Sequence, residues 1–181
     1  MPLEYPPLTI AERAADLNQR WSDDPAEEVL AFALDSAEVG TTALVSSFGA
    51  ESIALLHMIA RIDRSTPVIF LDTGFLFPET RAYQREVAEK LRLTDLRIVE
   101  PDRDDLFLTD PDARLHRNHP DACCELRKVR PLTRALAPFE AWITGRKRIH
   151  GGRRIDLPLF EADGTRLKIN PLTRWGTAEI S

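Results

Sequence analysis

Thr41-Thr42-Ala43-Leu44-Val45 runs directly into Ser46-Ser47-Phe48-Gly49-Ala50-Glu51-Ser52, and then into an amphipathic segment from Ile53 to Ile62. The first part is short, apolar and preceded by Gly40, as a buried parallel strand is. The middle is small and polar, and the last part has helical spacing. A strand, a small polar loop and a helix present backbone N–H groups and a helix dipole to a phosphate or sulfate. Gly49 admits close backbone approach, and Ser46 and Ser47 add donors. The same residues also serve simply to cap a helix.

Two further strand patterns follow with helices between them. Val68-Ile69-Phe70-Leu71 ends in Asp72-Thr73-Gly74, and Leu96-Arg97-Ile98-Val99 ends in Glu100-Pro101-Asp102. Pro78 opens a helix reaching about Leu91. Strands alternating with helices predict an α/β fold with a doubly wound parallel sheet. In such sheets ligands bind beyond the C-terminal strand ends, which is where Asp72, Thr73 and Gly74 fall. A loop that only caps the next helix fits those residues equally.

Upstream, Thr9 is placed to cap a helix from Ile10 to Trp21, and Asp24-Pro25 starts a second helix ending near Asp35. Downstream, residues 104–118 read as a short helix and a loop. Ala122 to Ala137 has helical composition interrupted by Pro131. Ala141-Trp142-Ile143-Thr144 is a fourth strand, running into the basic, Gly-rich stretch Gly145-Arg146-Lys147-Arg148, which suits an anion or a solvated surface. Leu157 to Phe160 and Arg166 to Ile169 read as a hairpin around Asp163-Gly164. A further helix is expected to begin at Thr177.

The only two cysteines, Cys123 and Cys124, are adjacent and closely followed by Arg127, Lys128 and Arg130. Neighbouring cations favour the thiolate, the form that ligates metals and attacks electrophiles. A disulfide between neighbours would close a strained ring. The pair therefore reads as soft metal ligands, a redox pair or inert buried residues. On a helix the two side chains would diverge by about 100°.

The 181 residues suit one domain with a sizeable core, and 43% hydrophobic with 29% charged residues is ordinary globular composition. A net charge of −5 argues against nucleic acid as the main partner, while the basic run from Arg127 to Arg154 suits a small anion. Met1 to Tyr5 shows no signal-peptide pattern, and no segment approaches the roughly 20 apolar residues of a membrane span. A reducing, cytoplasmic setting without membrane association is the expectation.

Taken in order, the loop Ser46 to Glu51, Leu71-Asp72-Thr73-Gly74 with Leu76 to Thr80, Cys123-Cys124 with Arg127-Lys128-Val129-Arg130-Pro131-Leu132, Trp142 to Arg146, and Asn170-Pro171-Leu172 resemble the assimilatory adenylyl-sulfate (APS) and phosphoadenylyl-sulfate (PAPS) reductases. The likeness runs from about Thr42 to Trp175, and its Cys-Cys-x-x-Arg-Lys part resembles the branch that carries a [4Fe-4S] cluster. The resemblance implies a PP-loop adenine-nucleotide-binding domain over residues 41–181, with residues 1–40 as helices packed on it. By that analogy Ser46, Ser47, Phe48, Gly49, Ala50 and Glu51 would cradle APS or PAPS, and Leu71, Asp72, Thr73 and Gly74 would line the adenosine pocket. Arg127, Gly145, Arg146, Lys147 and Arg148 would face the anionic substrate. Cys123 and Cys124 would be cluster ligands, with Lys128 linking cluster and substrate.

The implied reaction reduces APS to sulfite and AMP through a cysteine S-sulfonate, with thioredoxin or a glutaredoxin-like dithiol as donor, for cysteine biosynthesis. A homo-oligomer is compatible with it. The family's later Cys-x-x-Cys and its C-terminal nucleophilic Cys have no counterpart here, so the chain reads as a truncated reductase that binds nucleotide and forms no sulfite alone. An ATP-splitting PP-loop enzyme is the rival, although Phe48 replaces the first Gly and Glu51 the Asp of its Ser-Gly-Gly-x-Asp-Ser loop. A non-catalytic nucleotide-binding remnant is the other.

Overall fold

Thr9 closes a capping box. Its hydroxyl accepts the Glu12 N–H at 3.2 Å, and the Glu12 carboxylate accepts the Thr9 N–H at 2.8 Å. Helix α1, Ile10–Trp21, starts there. The computed structural model describes residues 7–146 and 157–175, with Ala50 and Glu51 described by backbone alone. Helix α2, Ala26–Asp35, follows Pro25 and carries Glu27 and Glu28 in its first turn, where the helix dipole favours acids. Chain contacts divide into two compact units: residues 43–138, and residues 1–42 together with 139–181.

The unit of residues 43–138 holds three parallel strands: β1 (Thr42–Val45, whose first residue lies at the border), β2 (Val68–Leu71) and β3 (Leu96–Val99). Val45 pairs with Ile69, and Leu71 pairs with Val99. Helix α3, Ala50–Ile62, and helix α4, Pro78–Leu91, make the crossovers and pack on each other. α3 begins three residues before the expected Ile53, because the Gly49 carbonyl already accepts the Ile53 N–H at 3.1 Å. Leu44, Leu55, Leu56, Ile59, Val68 and Ile69 are almost fully buried and form the core. The segment after β3 holds helices α5 (Arg103–Thr109), α6 (Leu115–Asn118) and α7 (Pro120–Cys124). A π-helical turn over Glu125–Val129 then leads into α8, Arg130–Ala135, which packs against β2 and β3.

In the other unit, β4 (Ala141–Thr144) runs parallel to β6 (Arg166–Ile169), and β5 (Phe160–Asp163) runs antiparallel to β6. The β5–β6 turn passes through Gly164 at φ +62°, a conformation that favours glycine. The expected first hairpin strand, Leu157 to Phe160, is displaced to Phe160–Asp163. Pro158 has no N–H for a ladder, and the carbonyls of Leu157 and Pro158 instead accept side-chain bonds from Thr173 and Asn170. Helix α1 packs on β5, where the Asn18 amide bonds both backbone groups of Phe160, at 2.7 and 2.9 Å. The helix expected from Thr177 lies outside the described residues. Among the described residues no helix is long and apolar enough to cross a membrane.

Asn18→Ala leaves a buried N–H and C=O of Phe160 without partners. It is expected to cost about 1–3 kcal/mol, measured as a shift of the urea unfolding midpoint.

Candidate nucleotide and thiol site

The C-terminal ends of β1 and β2 stand side by side, so the loops that leave them share one wall. Ser46 is buried, and its hydroxyl accepts the Phe48 N–H at 3.1 Å. Phe48 takes a left-handed φ of +56°, which a β-carbon makes costly. Its ring is buried edge-on against Phe70, 5.4 Å between centroids, which holds the strained residue in place. Ser47 remains exposed and accepts the Gly49 N–H.

Asp72 is buried at the end of β2. It accepts the Gly74 N–H at 2.9 Å and both the Nε and Nη2 of Arg81, at 2.7 and 3.1 Å. Gly74 adopts φ +82°, and a β-carbon there would lie 3.3 Å from the Arg127 Nη1. A cavity of about 310 Å³ opens between these loops, lined by Val45, Ser46, Ser47, Leu71, Thr73 and Lys128 among others. Its volume is at the lower end of what small-ligand sites occupy, about 300–1,000 Å³.

A second cavity, about 280 Å³, is lined by Phe75, His116, Pro120, Cys123, Cys124 and Arg127. Thr73 and Lys128 line both cavities. Cys123 is buried and Cys124 exposed, as their divergence on a helix requires, yet both face this cavity. Neither is in a disulfide. The turn that follows is widened: the Arg130 N–H reaches the Glu125 carbonyl, five residues back. Pro131 explains the position of this turn. It cannot donate to the Arg127 carbonyl, and its ring would clash in an unbroken α-helix. The result carries Leu126 and Arg127 inward while Lys128 stays exposed at the rim.

Arg127 is committed within the protein. Its Nη2 bonds Asp110 at 2.7 Å, its Nη1 bonds the Thr73 carbonyl at 3.0 Å, and its guanidinium lies 4.1 Å from the centre of the Phe75 ring. The two charged side chains are only 7% and 3% exposed. Burial pushes the Asp110 carboxyl up, but the hydrogen bond from Arg127, the Leu115 N–H and the Arg127 charge outweigh burial and hold it below the usual carboxylate value.

The structure thus brings Ser46, Ser47, Leu71, Thr73 and Lys128 to one cavity, and Cys123, Cys124 and Arg127 to its neighbour. The side chains of Ala50 and Glu51 lie outside the described atoms, as do Lys147 and Arg148 altogether. Arg146 and Gly145 belong to the other unit, where Arg146 pairs with Glu161 at 2.9 Å. Asp110, Phe75 and Arg81 were not legible as site residues. Asp110 sits in a polar stretch before Pro111, and no spacing rule links it to Arg127.

The comparisons with known proteins agree with this fold. Residues 41–181 match the phosphoadenosine phosphosulfate reductase domain. The chain belongs to that family. It is 45% identical to an adenosine 5'-phosphosulfate reductase of Chelativorans sp. (strain BNC1), over 96% of this chain and 71% of the relative. It is 38% identical to a phosphoadenosine 5'-phosphosulfate reductase of Gloeobacter violaceus, over 91% of this chain and 69% of the relative. A crystal structure of phosphoadenylyl-sulfate reductase from Candida auris, in complex with phosphate, superposes with a TM-score of 0.75 at 27% identity, over 92% of this chain and 81% of that one. The α/β fold with its mostly parallel pairing is therefore that of a sulfonucleotide reductase.

The resemblance also implied a [4Fe-4S] cluster, which takes four ligands, usually thiolates. The chain has two cysteines, and among the described residues no group of three or more His, Cys, Asp or Glu is placed to hold a metal. The donor set is half of what the cluster needs.

Two outcomes follow from this geometry. Gly74→Ala is expected to destabilise by about 1–2 kcal/mol, since it forces a β-carbon into a left-handed turn against Arg127. Asp110→Asn is expected to cost about 2–4 kcal/mol near neutral pH, by leaving a buried guanidinium unpaired. Because the folded-state pKa of Asp110 is depressed, the wild-type advantage is whole above about pH 4 and fades as pH falls through that lowered value. Urea titrations of both proteins from pH 7 to pH 2 measure it.

Proposed function

We propose that this chain binds APS, or PAPS, in the 310 Å³ cavity and serves the reduction of its sulfate to sulfite with release of AMP. Two electrons come from a dithiol of the thioredoxin or glutaredoxin class, which leaves as a disulfide. The observation that carries this reading is the shared wall. Lys128 and Thr73 line both the nucleotide-sized cavity and the cavity lined by the two thiols. In this reading the adenosine lies along Leu71 to Gly74, and the sulfate end is directed toward Lys128. A cation at the rim of both cavities attracts an anion in one and faces the thiols in the other.

Cys123 and Cys124 are proposed as one pair of ligands to an iron–sulfur cluster. The remaining ligands must come from outside the described residues. Free thiols and the absence of a disulfide suit a reducing, cytoplasmic setting.

Calorimetry with AMP, APS, PAPS and ATP tests the reading. AMP and APS are expected to bind the 181-residue chain, and Lys128→Ala is expected to weaken APS by about tenfold through loss of one charge-assisted contact. Pyrophosphate release from ATP would instead assign it to the ATP-splitting PP-loop enzymes. Iron and acid-labile sulfide, counted after anaerobic purification, are expected to fall in Cys123→Ser and Cys124→Ser.

A further inference from the structure

Arg127 joins three segments distant in sequence. It bonds the Thr73 carbonyl, lies over the Phe75 ring and pairs with Asp110, and it stands three residues after Cys124. The loop it grips is braced internally: Asp72 accepts the Gly74 N–H, and Arg81 in turn donates to Asp72. Asp110 is equally fixed. Its N–H bonds the Leu106 carbonyl, and its second carboxylate oxygen accepts the Leu115 N–H at 2.9 Å. The Arg127 Nε is buried with no partner, a cost tolerated because the other contacts over-determine the guanidinium.

We infer that Asp110 is a positioning residue. By holding the Arg127 guanidinium in one buried orientation, it staples the Thr73–Phe75 loop of the nucleotide cavity to the turn that follows the thiols. A ligand that orders one cavity thereby orders the other. Asp110 lines neither cavity; it pairs with Arg127 and, with its other oxygen, accepts the Leu115 N–H at the start of α6. The coupling rests on the sulfonucleotide reading above, but the staple does not.

Hydrogen–deuterium exchange of the 181-residue chain, with and without AMP, tests both. In the wild type AMP is expected to slow exchange in peptides covering 72–76 and 120–129. In Asp110→Asn the ligand-free exchange of 120–129 is expected to rise about tenfold, and the AMP response there to vanish while that of 72–76 remains. Alkylation of Cys124 by iodoacetamide gives a second readout. Its AMP dependence is expected to persist in Asn18→Ala, which destabilises outside this site, and to disappear in Asp110→Asn. A general loss of stability would not separate these two variants. If Asp110→Asn fails to fold, the double variant Asp110→Asn/Arg127→Met, which leaves no unpaired buried charge, is expected to show the same two losses. Wild-type exchange and an intact AMP response at 120–129 in either variant would overturn the staple. If AMP leaves the wild type unchanged, the nucleotide reading fails, and ligand-free exchange of the variants still decides the staple.

Discussion

Parallel pairing of β1, β2 and β3 is the constraint on which this site depends. Parallel ladders bring every strand out at the same edge, so loops far apart in sequence become neighbours. The Ser46 N–H bonds the Ile69 carbonyl, and the Asp72 N–H bonds the Val99 carbonyl. The first bond sets the serine loop beside the end of β2, and the second ties the start of the Asp-Thr-Gly loop to β3. Each loop then satisfies its own backbone through a side chain, Ser46 for Phe48 and Asp72 for Gly74. Their shapes are thus set before any ligand arrives, which lowers the ordering cost of binding.

The second half of the site solves a harder problem. The two thiols line a cavity that shares Thr73 and Lys128 with the first one, without a sheet edge to place them. The chain uses a broken helix for this. Pro131 forces a widened turn, the turn sends Arg127 inward, and a buried carboxylate receives it. Buried ion pairs are seldom strong sources of stability, because desolvation offsets attraction. Their value lies in orientation, and a planar guanidinium with several fixed donors suits that role better than an ammonium. Lys128, one residue on, keeps its mobile charge at the rim of both cavities.

Much of this arrangement can be read along the chain, and some of it cannot. The helices after Thr9 and Pro25 and the strands Val68–Leu71, Leu96–Val99 and Ala141–Thr144 follow from capping residues and apolar runs, which are local signals. Cys123, Cys124 and Lys128 stand out because of their chemistry and spacing. The hairpin's first strand lies three residues beyond the apolar run Leu157 to Phe160, because Pro158 and tertiary partners hold the first residues of that run off the ladder. The start of α3 is not marked along the chain, because Gly49 and Ala50 carry no apolar periodicity.

The sequence by itself determined which segments become strands and helices, that their alternation demands parallel pairing, and which residue types could meet an anion or a metal. These are properties of neighbours along the chain, where propensity, capping and periodicity act. Only the tertiary structure decided that Thr73 and Lys128 line two cavities at once, that Phe48 accepts a left-handed backbone to bury its ring, and that Asp110 is the partner of Arg127. Those facts depend on residues 17 to 55 positions apart meeting in a water-poor interior, where an unpaired charge or N–H is expensive, and a linear pattern carries no record of that cost.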